Sequence, residues 1–162
     1  MSAKRYLGLD ISLSSTGLAV IELKNKKPFY VSSTFIPTST KETRGERLAV
    51  IEAEAMLFIR KYKPFEAIIR EKFASPNPST SEAIFGAWGA VDRALTFHGF
   101  QVTHGLAQTS IKKELTGNGK ALKEDVEKVV KQVLNLEEDL NDDEIDALAV
   151  ILAYLKKEGL IN

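Results

Sequence analysis

The chain contains no cysteine, which excludes disulfides, thiolate metal sites and cysteine nucleophiles. That absence fits a cytoplasmic protein. Histidine is nearly absent too. His98 and His104 share no metal-ligand spacing, and both read as structural or surface residues. No run approaches the ~18 apolar residues of a membrane helix. The N-terminus lacks the apolar core of a secretion signal. Charge of either sign is not in excess, since 22 basic residues balance 22 acidic ones. A polyanionic partner would therefore need local basic patches rather than bulk attraction. What remains is an ordinary soluble mixture over 162 residues, long enough for one domain with a sizeable core.

Hydrophobic periodicity divides the chain into strands and helices. Residues 4–11, 15–23 and 28–36 read as three strands of an antiparallel meander. Residues 42–63 carry a helical stripe of Leu48, Ile51, Ala55, Phe58 and Ile59, stopped by Pro64. A strand over 66–71 and a loop over 74–80 follow. A helix over 81–98, capped by Ser79 or Thr80, ends at Gly99. Residues 100–104 read as a fifth strand. Short helical stretches at 108–115, 121–134 and 143–158 complete the chain, with a tight turn at 116–120. Hairpin strands followed by crossovers give an α/β fold: a mixed sheet flanked by helices, in a single domain spanning 1–162.

Four carboxylates stand where apolar residues are expected. Asp10 interrupts Leu7-Gly8-Leu9-Asp10-Ile11, and Glu71 ends Ala67-Ile68-Ile69-Arg70-Glu71. Asp143 and Asp146 are three apart on a helix, so they share a face about 5–6 Å apart at Cβ. Each has a simpler reading. Asp10 can cap a turn with Ser12 to Ser15, Glu71 can be a solvated strand end, and acids at 142–144 suit a helix N-terminus. Asp146 fits such a reading least, because the helix turns apolar on all sides directly after it. A buried unpaired carboxylate is costly, so these groups are paired or bind a metal. Converging, they would form an all-oxygen site for a hard divalent ion, Mg²⁺ or Mn²⁺. Two such ions about 4 Å apart clamp the attacking and leaving oxygens of a phosphodiester.

Other features surround these acids. Thr116-Gly117-Asn118-Gly119-Lys120 is a glycine-rich turn entering a helix, whose N–H groups and lysines suit a phosphate, although such turns are common. Residues 111–131 hold six lysines against four acids, a mildly basic patch with Lys112, Lys120 and Lys123 within it. Lys72 and Phe73 follow Glu71 directly. Phe73 either packs or wedges between bases. The helix 81–98 has a large face (Ile84, Trp88, Val91, Leu95) and a small face (Ala83, Ala87, Ala90, Ala94, with Gly86 and Gly89 nearby). Buried on both sides, it is expected to give its small face, Gly86, Ala87, Ala90 and Ala94, to a partner subunit.

Taken in order, the motifs resemble the RuvC-type Holliday junction resolvases, within the ribonuclease H-like superfamily. Leu7-Gly-Leu-Asp-Ile-Ser-Leu-Ser-Ser-Thr-Gly17 is similar to the family's first-strand motif, with Ile11-Ser12 in place of Pro-Gly. Arg70-Glu71, Lys112, Gly117-x-Gly119-x-Ala121-x-Lys123 and Asp143-x-x-Asp146-Ala-Leu-Ala match the remaining motifs. Phe73 stands two residues after the acid rather than three. The changed turn and the neutral charge suggest a divergent, phage-type member. The resemblance implies a five-stranded sheet in 3-2-1-4-5 order with strand 2 antiparallel. It implies a homodimer cutting branched DNA, above all four-way junctions, with no membrane partner and no small-molecule cofactor. Asp10, Glu71, Asp143 and Asp146 would bind two Mg²⁺ or Mn²⁺ ions, and Lys123 would assist catalysis. Lys72, Phe73, Lys112, Gly117, Gly119, Lys120 and Lys123 would meet DNA. The products would carry 5′-phosphate and 3′-hydroxyl ends. A nuclease for structured RNA or a non-catalytic branched-DNA scaffold are the alternatives. A kinase-type ATPase shares the first Asp but needs a second lobe.

Overall fold

The structure, a computed structural model, describes residues 2–73 and 75–162. Strands β1 (Lys4–Asp10), β2 (Ser15–Lys24) and β3 (Lys27–Pro37) form the meander. Helix α1 (Arg44–Tyr62), strand β4 (Ala67–Glu71), helix α2 (Pro78–Phe97) and strand β5 (His104–Leu106) follow. Helices α3 (Gln108–Thr116), α4 (Lys123–Leu134) and α5 (Asp142–Lys157) end the chain. The sheet order is β3-β2-β1-β4-β5. β2 runs antiparallel to β1 and β3, whereas β4 is parallel to β1 and β5. This is the mixed sheet that the resemblance implies.

Side-chain alternation along β1 builds the two cores. Leu7 and Leu9 face α1 and α2, together with Leu18, Val20 and Ile68. Tyr6 faces the opposite layer with Ala19, Ile21, Ile69 and most of α5. A central strand covered on both faces must be apolar on both, which is why Asp10 stands out in it. α5 is apolar all round because β1 and β2 lie beneath it and α3 and α4 beside it. Its close approach rests on two glycines. A Cβ on Gly8 would fall on the Ala147 carbonyl oxygen, and one on Gly17 on the Asp143 carbonyl. Only a residue without a side chain fits at either place. Among the described residues no helix is long and apolar enough to cross a membrane.

Three expectations are corrected. The fifth strand occupies His104–Leu106 rather than 100–104. Phe100 and Val102 instead pack into the α1/α2 core from a loop. Thr103 meets Ile68 through its backbone N–H, which donates to Ile68 O (2.9 Å), and through its hydroxyl, which accepts from Ile68 N (2.9 Å) and donates to Ile68 O (3.0 Å); the regular strand begins at His104. Helix α2 starts three residues early. Asn77 caps it, its Oδ1 accepting from Ser79 N (3.0 Å) and Thr80 N (3.4 Å). Pro78 occupies the first turn, where a missing N–H costs nothing.

The third correction concerns the small face of α2. Ala87 and Ala94 are fully buried and Ala90 is only 7% exposed, all within this chain's own core beside Ile51 and Ala55. Gly86 is half-buried against Leu48. The small residues let α1 close on α2; Ala87 and Ala94 lie inside this chain's own core, whereas Gly86 and Ala90 line an open groove between the two helices. The outer side of α2 carries Phe85, Gly89 and Phe97 instead.

Candidate metal-dependent nuclease centre

β1 and β4 end side by side, because Leu9 registers with Arg70 in a parallel pair. Asp10 and Glu71 are the next residues, so their carboxyls emerge together on the α5 face. α5 delivers the other two acids over them. Asn141 caps that helix, accepting from Asp143 N (2.8 Å), while Glu144 accepts from Asn141 N (2.9 Å). Ser33 donates to the other Glu144 oxygen (2.8 Å), which makes Glu144 a buried structural lock. One turn of helix then separates Asp143 and Asp146, and the Gly8–Gly17 floor lowers both onto the strand ends. All four acids meet at one pole of the sheet, as expected.

Their mutual electrostatics is severe. Burial, then the Asp146, Glu71 and Asp143 carboxylates, push the Asp10 carboxyl up to about 8. Burial and Asp146 likewise raise Glu71, opposed by Lys123 and Lys112 and by a hydrogen bond shared with Asp10. Burial also raises Asp146, with Lys123 working against it and Asp143 for it. Such a cluster holds protons or a cation at neutral pH. Among the described residues no three of these groups close around a common point. An all-carboxylate donor set nonetheless matches the chemistry of a hard divalent ion.

Basic groups face the acids across a small cleft lined by Glu71, Gln108, Lys112, Lys123 and Asp146. The Lys123 ammonium lies 3.4 Å from Asp142 and 3.6 Å from Asp146. Burial pulls its pKa down, but those two carboxylates outweigh it and the net shift is upward. Lys120 is exposed on the turn before α4. The turn itself differs in part from expectation. Gly117 N donates to Lys113 O (2.8 Å), Lys120 N to Asn118 Oδ1 (2.9 Å) and Ala121 N to Asn118 O (3.0 Å). Those bonds engage the Gly117 amide within the turn but leave Gly119 N–H outside them. Gly117 stands at φ 81°. Lys72 is exposed, its stem running along Gly105 on the sheet face opposite Glu71. Phe73 is half-buried beside it.

Ser15 is a site residue that the sequence reading missed. Its hydroxyl donates to Asp143 Oδ2 at 2.6 Å, a short charge-assisted bond. Ser12 fixes Ser15 in turn, accepting from its N–H (3.1 Å) and donating to its carbonyl (2.8 Å). Thr16, fully buried, closes the same loop by donating to Ser12 O (2.6 Å). A serine at a strand start carries no anomaly of pattern. Only the distant pairing of β2 with α5 gives it a role.

The family model of the crossover junction endodeoxyribonuclease RuvC matches residues 6–154. The RuvC of Neisseria meningitidis is 34% identical over 157 residues, covering 96% of this chain and 88% of the relative. That of Brachyspira hyodysenteriae is 32% identical and covers 96% of both chains. Among solved structures, T. thermophilus RuvC in complex with Holliday junction substrate superposes with a TM-score of 0.86 at 26% identity, covering 96% of this chain and 94% of that one. With motifs, fold and acid cluster in agreement over nearly its whole length, this chain belongs to the RuvC family of crossover junction endodeoxyribonucleases.

Proposed function

We propose that this protein resolves four-way DNA junctions by divalent-metal-dependent hydrolysis of phosphodiesters. The observation that carries the reading is the Asp10 carboxyl, pushed up to about 8 by burial and three neighbouring acids. A fold gains nothing from assembling such a cluster unless a cation completes it. Asp10, Glu71, Asp143 and Asp146 would hold two divalent ions per centre, Mg²⁺ or Mn²⁺. When bound, the metal supplies positive charge to the reacting phosphate and activates water.

The chain's own residues do the rest. Lys123 stands 3.6 Å from Asp146 at the cleft, where its ammonium would pair with the scissile phosphate. Lys112, on the cleft wall beside Glu71, orients the same strand. Lys120 and Lys72 hold flanking phosphates, and Phe73 borders the branch. Asp10 is half-buried at the end of β1, which leaves the acids open to water and substrate from one side. Water attacking the phosphorus in line with the 3′ oxygen, which departs and takes up a proton, would leave 5′-phosphate and 3′-hydroxyl ends. Two centres in a homodimer would cut opposite strands as a pair.

The deciding experiment is cleavage of matched four-way, three-way, flap and linear DNAs, plus a structured RNA, with Mg²⁺. Preference for the four-way junction by at least about tenfold is expected. Equal cleavage of all, or of RNA alone, would overturn the reading.

A further inference from the structure

One rung of the sheet crosses all five strands at the catalytic pole. Leu106 registers with Glu71, Asp10 lies beside Glu71, Gly17 registers with Asp10, and Phe35 registers with Gly17. Adjacent strands lie ~4.8 Å apart, so Phe35 is roughly 10 Å from Asp10 along this rung. It also lies on the same face as the acids. Ile36 points into the α1/α2 core, and Ser33, two residues before Phe35, bonds Glu144 of α5. Yet Phe35 is not part of the core. Its ring is 42% exposed on an edge strand. Pro37, on the same face, is exposed as well and registers with Ser15.

Asp143, seated over Gly17 and tied to Ser15, therefore forms a wall between the Asp10–Glu71 pair and an apolar strip. The cleft on the opposite flank is lined by Lys112 and Lys123. The two flanks differ in chemistry. Ammonium groups hold phosphates, whereas a phenyl ring and a proline offer flat apolar surface that a phosphate avoids. A nucleobase suits that surface, because every base has a π-face that stacks on an aromatic ring.

We propose that Phe35, supported by Pro37, is a stacking platform for a nucleobase left without a stacking neighbour at the branch. The proposal rests on the junction reading above. With ~3.4 Å per base step in a strand, the roughly 10 Å offset places that base about three nucleotides from the scissile phosphate. Phe35 then contributes to selection of branched over continuous DNA, since only an interrupted stack presents a free base face.

The test uses full-length protein carrying Asp146→Asn, so that DNA stays intact, and a four-way junction with 2-aminopurine one to four nucleotides from the crossover. Protein with Phe35 should quench 2-aminopurine at one position, about three nucleotides out. Phe35→Trp should keep the quenching. Phe35→Ala should abolish it and weaken junction binding about tenfold, with an unchanged melting temperature. Phe29→Ala is the control, because Phe29 is 52% exposed on the same edge strand but far from the acids. Unaltered quenching in Phe35→Ala, or an equal loss in Phe29→Ala, overturns the platform while leaving the junction reading standing. Failure of the parent protein to bind the junction overturns both.

Discussion

Asp10 keeps its proton to about pH 8, against 3.8 for an unperturbed aspartate. Below the lower value both folded and unfolded chains are protonated there, so nothing is lost. Between the two values the unfolded chain ionises freely and the folded one resists, so stability falls as pH rises and levels off above about 8. Metal-free protein should therefore show a falling melting temperature from about pH 4 to 8. Asp10→Asn should flatten that slope, and divalent ions, by stabilising the carboxylate, should oppose it. A metal-free scan rising across this range would contradict the assignment. Asp146→Asn should lower cleavage at least about 100-fold with junction binding retained, because a lost ligand misplaces the ion. Ser15→Ala leaves Asp143 without its 2.6 Å donor. Divalent-ion affinity, measured by calorimetry, should weaken about tenfold, and Ser15→Thr should restore it. Asp10, Glu71 and Asp146 stood out because each interrupts or ends an apolar run, and Asp143 followed from its three-residue spacing to Asp146 on one helix face. Ser15 did not, because its importance arises only when residues 128 positions apart meet.

At the scale of elements, α5 aims two of the four proposed ligands, and two glycines decide how close it lies. Gly17→Ala would press a methyl group against the Asp143 carbonyl, which is backbone and has nowhere to go. Overpacking of this kind costs about 1–3 kcal/mol. The variant should melt lower and lose most of the melting-temperature rise that Mg²⁺ gives the parent. A variant with the parent's metal response would show that α5 need not sit so low. Most elements were readable from periodicity, since their patterns come from burial on one or two faces. β5 was not. Phe100 and Val102 look like strand residues because they are buried, but they are buried from a loop. The small face of α2 misled for a related reason. Alanines at helical spacing mark close approach without saying whether the neighbour is this chain or another, and here α1 takes that place.

At the scale of the whole molecule, the proposed homodimer would use what the monomer leaves open. An apolar groove between α1 and α2, lined by Leu48, Ala49, Gly86 and Gly89, remains uncovered, with Phe85 exposed on the same helix. Gly89→Glu should yield folded monomers in sedimentation, with single nicks replacing paired cuts. Ala87→Glu, which places a charge in the core, should instead unfold the chain, as far-UV circular dichroism would reveal. A folded, dimeric Gly89→Glu protein would move the interface elsewhere. The Gly8–Gly17 floor has one more consequence, in time rather than in space. It welds the acidic half of the centre to β1, β2 and α5, the most deeply buried parts of the molecule. Those ligands can separate only when the core itself opens. Lys120 and Lys123, by contrast, sit where an exposed turn enters a peripheral helix, free to open alone. Amide hydrogen exchange should divide the centre accordingly: slow, global-unfolding exchange behind the carboxylates, and fast local exchange behind the lysines. The acids wait as a fixed anvil while the basic side arrives and leaves with each strand.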